Sequence, residues 1–166
     1  HHFIITGAAG GMGRAIACLF SQLGAQLSLW DKTAEVFALA QNLGADAWQS
    51  DLKDPQAING RAAHSHRLAP LTGLVLAQGV LRLGPAEQLS LTDWHHCIDH
   101  NATAGMLCCQ AVAPLLSGGG SITLIGSNAS YLARQQMAAY AASKACMAQY
   151  LNCLGLELAP RNIRCN

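Results

Sequence analysis

Short runs of consecutive apolar residues alternate along this chain with longer stretches in which apolar residues recur every three or four positions. The first run, Phe3-Ile4-Ile5-Thr6, stops at glycines and predicts a strand. From Met12 to Leu23, the apolar residues Ile16, Leu19, Phe20 and Leu23 keep helical spacing, and Gly24 supplies a stop. Gln26 to Trp30 predicts a second strand ending at Asp31, Ala45 to Gln49 a weaker third, and Pro55 to about Arg67 a poorly patterned helix. Leu74-Val75-Leu76-Ala77 predicts a buried strand closed by Gly79. Ser90 and Asp93 form a capping-box signature, with Asp in place of the usual Glu or Gln, opening a long helix to about Leu116. Ser121 to Ile125 predicts a fifth strand after a triple-glycine turn, and Tyr140 to Leu158 a last long helix stopped by Pro160. Strands buried on both faces and separated by helices predict an α/β fold with a doubly wound parallel sheet. No linker or repeat divides the chain, so residues 1–166 read as a single domain.

Composition narrows the function classes. The chain is 51% hydrophobic and 11% charged, which excludes disorder. A net charge of +1 leaves no footprint for nucleic acid or an anionic membrane, and no apolar run approaches a membrane span. A small-molecule substrate, rather than nucleic acid or a membrane, is the expected partner. The seven cysteines form no Cys-x-x-Cys pair and sit mostly in apolar helical surroundings. They read as reduced, buried thiols of a cytoplasmic protein rather than a disulfide or zinc framework. His96 and His100 have i, i+4 spacing, but no third metal ligand accompanies them, so a solvated or interface face is expected and no metal. His1 and His2 fit either native sequence or the remnant of an affinity tag.

The chemistry lies at strand ends. Thr6-Gly7-Ala8-Ala9-Gly10-Gly11-Met12-Gly13 follows the first strand and opens the first helix. Glycine there lets the chain turn sharply and the backbone approach a pyrophosphate, which faces the positive end of the helix. Asp31 ends the second strand, where a carboxylate accepts from both ribose hydroxyls of NAD and repels the 2′-phosphate of NADP; Lys32 beside it weakens that preference. Tyr140 and Lys144 lie at i and i+4 on one helix face. A cation beside a phenol favours the phenolate, and that makes a tyrosine usable as a base near neutral pH. Ser127, just past the fifth strand, is placed to hold a substrate oxygen.

In this order the motifs resemble the short-chain dehydrogenase/reductase family, over essentially the whole chain. Thr6-Gly7, Gly11 and Gly13 match its glycine turn, and Asp51-Leu52 its adenine-contacting pair. Asn101 falls at its helix-kinking asparagine, and Ser127, Tyr140 and Lys144 at its other catalytic positions. The resemblance implies a Rossmann fold and NAD-dependent oxidoreduction of a secondary alcohol or ketone. Tyr140 would be the acid/base, Ser127 would orient the oxygen, Lys144 would bind the nicotinamide ribose and tune Tyr140, and Asn101 would support a proton relay. The implied cofactor set is Gly7, Gly11, Met12, Gly13, Asp31, Asp51, Leu52, Ala77 and Gly79, with Tyr140 and Lys144 shared. One departure is plain: where the family carries Asn-Asn-Ala-Gly, which stabilises the fourth strand and lines the cofactor site, this chain has Leu76-Ala77-Gln78-Gly79.

Gly79 through Gly84, Glu87 through Trp94, Arg134 through Met137 and Gly155 through Ala159 resemble more narrowly the 2,3-dihydro-2,3-dihydroxybenzoate dehydrogenases of siderophore synthesis. That branch implies a carboxylated dihydrodiol substrate, with Arg82 and Arg134 as candidates for its carboxylate. A ketoacyl or sugar-alcohol enzyme of the same family, and a non-catalytic NAD-binding regulator, stay open beside it. The long helices starting near Leu91 and Tyr140 are more apolar than one sheet face requires, and in this family such helices pair subunits, so a homo-tetramer or homo-dimer is expected. Family members continue beyond Asn166, so the sixth and seventh strands and the substrate lid are expected to be missing.

Overall fold

The computed structural model describes residues 1–166. Six strands form one parallel sheet in the order β3-β2-β1-β4-β5-β6: β1 (His2–Thr6), β2 (Gln26–Asp31), β3 (Asp46–Gln49), β4 (Leu71–Leu76), β5 (Leu116–Leu124) and β6 (Arg164–Cys165). The order reverses between β1 and β4, and ligands of open α/β sheets bind in such a crevice, at the carboxyl ends of the strands. Alternate residues of each strand point to opposite faces. Ile4, Leu74, Leu76 and Ile122 enter one apolar core with Ile58, Cys108, Met147 and Leu151. Their neighbours Ile5, Leu29 and Val75 enter the other with Ala17, Val36 and Leu39. Most of these side chains are fully buried, each stabilising the fold by roughly 1.5–3 kcal/mol over exposure.

The doubly wound parallel sheet is as expected, with four differences. A helix absent from the predicted set, α2 (Glu35–Leu43), joins β2 to β3; its Val36, Leu39 and Ala40 are buried at helical spacing, and Gly44 closes it at φ +63°. The signal was present in the pattern and short enough to pass as loop. The expected single helix to Leu116 is two helices, α4 (Leu91–Ile98) and α5 (Ala104–Val112), joined by a π-helical turn at Asp99–Thr103. Strand β5 begins at Leu116 rather than Ser121: Leu71 pairs with Leu116 and Gly73 with Ser121, so the intervening glycines are bulged out, with Gly119 at φ +85°. The sixth strand, expected to be missing, is begun here. Arg164 and Cys165 pair with Ser121 and Ile122, and two residues bearing an exposed arginine carry no readable strand pattern. The remaining helices are α1 (Gly11–Gln22), α3 (Pro55–Leu68) and α6 (Ala138–Leu158), and none of the six is long and apolar enough to cross a membrane.

His2 belongs to the fold. It pairs in β1, is 1% exposed, and its Nδ1 donates to the Ala69 carbonyl while Nε2 bonds the Ser28 hydroxyl, both at 3.0 Å. Burial pulls its pKa below the ordinary 6.5. The unfolded chain therefore takes up a proton near pH 6.5 that the native state resists, so this contribution is intact above that pH and lost as pH falls below it. The urea midpoint should drop between pH 7.5 and 5.5, and by less in His2→Gln; equal drops in both proteins would refute the assignment.

Candidate active site

The carboxyl ends of the strands meet around a cleft of about 390 Å³, lined among others by Gly7, Asp31, Asp51, Leu52, Ala77 and Gly79. The glycine turn is its floor. Gly7 has φ +63°, and a Cβ there would lie 2.6 Å from the Gln78 backbone. A Cβ on Gly13 would lie 2.1 Å from the Gly7 carbonyl oxygen, whereas one on Gly11 would meet nothing within 4 Å. Gly7 and Gly13 are thus glycines for the protein's own packing, and Gly11 leaves open space beside it. Gly10 precedes α1 in extended conformation and no side chain caps the helix, so its first N–H groups stay free for an anion. Met12, on the first turn, is largely exposed.

Asp31 is buried where β2 ends. Its Oδ2 accepts from the Ala9 N–H at 2.9 Å, and its Oδ1 from the Thr33 N–H and hydroxyl at 2.9 and 3.1 Å. The carboxylate therefore braces the glycine turn against β2, and Oδ2 retains a lone pair for a ligand hydroxyl. Asp51 is half-exposed and paired with Lys53 at 2.9 Å, which holds its carboxyl below the ordinary value. Leu52 is buried beside it at φ 58°, a conformation costly for a leucine and concentrated at functional turns.

Behind Gly79 stands Lys144, 4% exposed on α6. Its Nζ donates to the Ile125 carbonyl at 2.9 Å, and burial lowers its pKa. A Cβ on Gly79 would come within 3.4 Å of this ammonium and 3.6 Å of the Asn101 amide oxygen, so Gly79 admits both. Asn101 is buried in the π turn. Its Oδ1 accepts from the Val80 N–H at 2.7 Å, and its Nδ2 donates to the Val80 carbonyl and the Ser143 hydroxyl, each at 2.9 Å. Ser143 in turn donates to the Tyr140 carbonyl at 2.7 Å. One chain of bonds thus ties the loop after β4 to the turn of α6 that carries Tyr140. Ser127, past β5, accepts from the Ala129 N–H at 3.2 Å, leaving its own hydroxyl proton free.

A glycine turn at a helix start, an acidic strand end and a helix bearing tyrosine and lysine are brought to one end of one sheet. The sequence profile of short chain dehydrogenases matches residues 1–166. The chain belongs to the short-chain dehydrogenase family. It is 39% identical to the 2,3-dihydro-2,3-dihydroxybenzoate dehydrogenase of Bacillus subtilis, an alignment covering 98% of this chain and 66% of that protein. It is 37% identical to the D-threitol dehydrogenase of Mycolicibacterium smegmatis at the same coverage. The solved short chain dehydrogenase of Burkholderia cenocepacia in complex with NADP superposes with a TM-score of 0.89 at 31% identity, over 97% of this chain and 69% of that one. The chain spans about two thirds of the length of these relatives.

Against the family pattern, the departure after β4 resolves into an exchange of positions. Leu76, at the first asparagine's place, is fully buried in the apolar core. The amide reappears two residues on: the Thr6 hydroxyl donates to Gln78 Oε1 as well as to the Val75 carbonyl. The strands around the cleft thus keep a side-chain amide crosslink from a different residue, although the Gln78 amide nitrogen is buried without a partner. Two other candidates have partners of their own. The Asn101 side chain bonds Val80 and Ser143 and makes no direct bond to Lys144. Arg82 lies 3.6 Å from Asp93, so it is partly neutralised, while Arg134 is exposed and unpaired. The Gly84 N–H donates to the Gln136 carbonyl at 3.0 Å, which joins the two loops that carry these arginines.

Gly11, Met12, Gly13, Asn101, Ser127, Tyr140 and Lys144 do not line the cleft itself; Lys144 and Asn101 stand behind its lining residue Gly79, and Ser127 and Tyr140 lie past β5 and on α6. Sequence reasoning missed Ser143, Gln78, Thr33 and His100, all of which hold or line the site. Only Gln78 carried a signal, as a lone amide where an amide had vanished two places before.

Proposed function

We propose that this chain holds the cofactor-binding and proton-transfer core of an NAD-dependent dehydrogenase that oxidises a secondary alcohol, with 2,3-dihydro-2,3-dihydroxybenzoate as substrate. The observation that carries the reading is the buried ammonium of Lys144 against Gly79, a lining residue of the cleft that Asp31 also lines. The residues present fit a dinucleotide. The uncapped start of α1 and the open space at Gly11 suit a pyrophosphate, and Asp31 suits a ribose diol better than a ribose phosphate.

A bound nicotinamide supplies the acceptor for the hydride leaving the carbinol carbon. Tyr140 takes the hydroxyl proton of the substrate, and the free proton of Ser127 steadies the oxygen as it becomes a carbonyl. Lys144, with one donor spent on Ile125, has two left for the cofactor ribose and for favouring the Tyr140 phenolate. Arg134 is the better candidate for the substrate carboxylate, since Arg82 already faces Asp93. Exposed Leu91, Trp94 and Leu156 on α4 and α6 support assembly as a homo-dimer or homo-tetramer.

The test is NAD reduction with a dihydroxycyclohexadiene carboxylate, with NADP in parallel. Turnover confined to NADP would overturn the cofactor assignment, and turnover only on other alcohols the substrate. Arg134→Met should raise KM for the carboxylated substrate about 10- to 100-fold, the worth of a charge-assisted hydrogen bond, and leave neutral cyclic diols nearly unchanged. Equal effects on both would exclude Arg134 from that role.

A further inference from the structure

Gln136 is one of three residues other than glycine with a left-handed backbone, at φ +63°. A side chain in that conformation crowds its own backbone, and glycine alone adopts it without cost. The Gln136 side chain is exposed, as is the whole stretch from Tyr131, so burial of the amide does not hold the residue there. The backbone does. The Gln136 carbonyl accepts from the half-buried Gly84 N–H at 3.0 Å, and this is the one backbone bond that ties residues 133–136 to another part of the chain.

The facing stretch is pinned at its other end. Val80 is fixed by Asn101 through both its N–H and its carbonyl, and Asn101 is joined through Ser143 to the Tyr140 carbonyl. Leu81, Arg82 and Leu83 are therefore an exposed arch between two anchors, Asn101 at one side and Gln136 at the other. Arg82 stands two residues before Gly84, and Arg134 two residues before Gln136. One bond thus sets the separation of the two loops that carry the arginines. We propose that Gln136 is a positioning residue: its left-handed backbone clasps these loops and places Arg134 for a substrate carboxylate, without itself touching substrate. The inference rests on the reading of Arg134 given above.

Two substitutions remove the same amide side chain and differ in the backbone they allow. Gln136→Gly keeps the left-handed conformation freely, whereas the β-branched side chain of Gln136→Val drives the residue out of it. Exchange of the Gly84 amide hydrogen, followed by NMR, should quicken by about tenfold or more in Gln136→Val and stay within about twofold in Gln136→Gly. With a dihydroxycyclohexadiene carboxylate, KM should rise about tenfold in Gln136→Val, while kcat and the dissociation constant for NADH stay within about twofold. Gln136→Gly should match the wild type in all three. Added to Arg134→Met, Gln136→Val should raise KM no further, because the clasp acts through Arg134. Unchanged Gly84 exchange in Gln136→Val would overturn the clasp, whatever the substrate. Fast exchange with an unchanged KM, an equal rise in KM in Gln136→Gly, or full additivity with Arg134→Met would overturn the positioning role. Wild-type turnover of neutral diols alone would overturn the substrate reading and the role of Arg134, and the exchange rates would still decide the clasp.

Discussion

Tyr140→Phe is expected to lower kcat by about 10³-fold while the dissociation constant for NADH stays within about twofold of wild type. The variant removes one hydroxyl and keeps the ring. The bonds that place this turn of α6 run from the Tyr140 carbonyl through Ser143 to Asn101 and Val80, all through backbone or other side chains. The local structure therefore has no stake in the phenol, and the loss reports proton transfer alone. Steady-state rates and a fluorescence titration with NADH check the two halves. An unchanged kcat would remove Tyr140 from the chemistry, and a large loss of NADH affinity would make it a binding group instead.

Gly13→Ala and Gly11→Ala are expected to separate the two uses of glycine in one turn. A Cβ at Gly13 falls 2.1 Å from the Gly7 carbonyl oxygen and 2.9 Å from the Ala8 Cα, backbone atoms with no rotamer to yield. Either the turn opens or α1 lifts from β1, and a loss of about 3 kcal/mol or more in urea unfolding is expected, the upper range for single substitutions. At Gly11 the added methyl meets no protein atom within 4 Å, so stability should change by less than about 0.5 kcal/mol. If the open space takes a pyrophosphate, the same methyl should weaken NADH binding at least tenfold. A stable Gly13→Ala protein would refute the packing role, and Gly11→Ala with undiminished affinity would refute phosphate binding at this turn.

The two variants differ in a way no reading of the motif alone foresees. Both glycines match the same pattern, and their separation depends on what stands opposite each one. Likewise Leu76 and Gln78 read as a lost function in sequence, because a motif is compared position by position. In space the Gln78 side chain reaches back to Thr6 and restores the amide crosslink. Helix α2 was legible and overlooked, whereas β6 was not legible at all, since two residues make no periodicity. The π turn at Asp99–Thr103 was legible only through the resemblance, as the helix-kinking asparagine at Asn101; the change of pitch that sets His100 on the cleft was not.

By itself the sequence determined the elements with long apolar patterns, the parallel sheet they imply, and the order of glycine turn, acidic strand end, serine, tyrosine and lysine. Those are local properties: strand and helix periods and turn chemistry are written in neighbouring residues. Tertiary structure alone decided that Asp31 braces the glycine turn, that Asn101 and Ser143 lock the turn bearing Tyr140, that Arg82 is held by Asp93, and that His100 faces the cleft. Each depends on a contact between groups far apart in the chain or on a helix changing pitch. A hydrogen bond acts over about 3 Å of space whatever the separation in sequence, and a single chain carries no record of which distant residues will come that close.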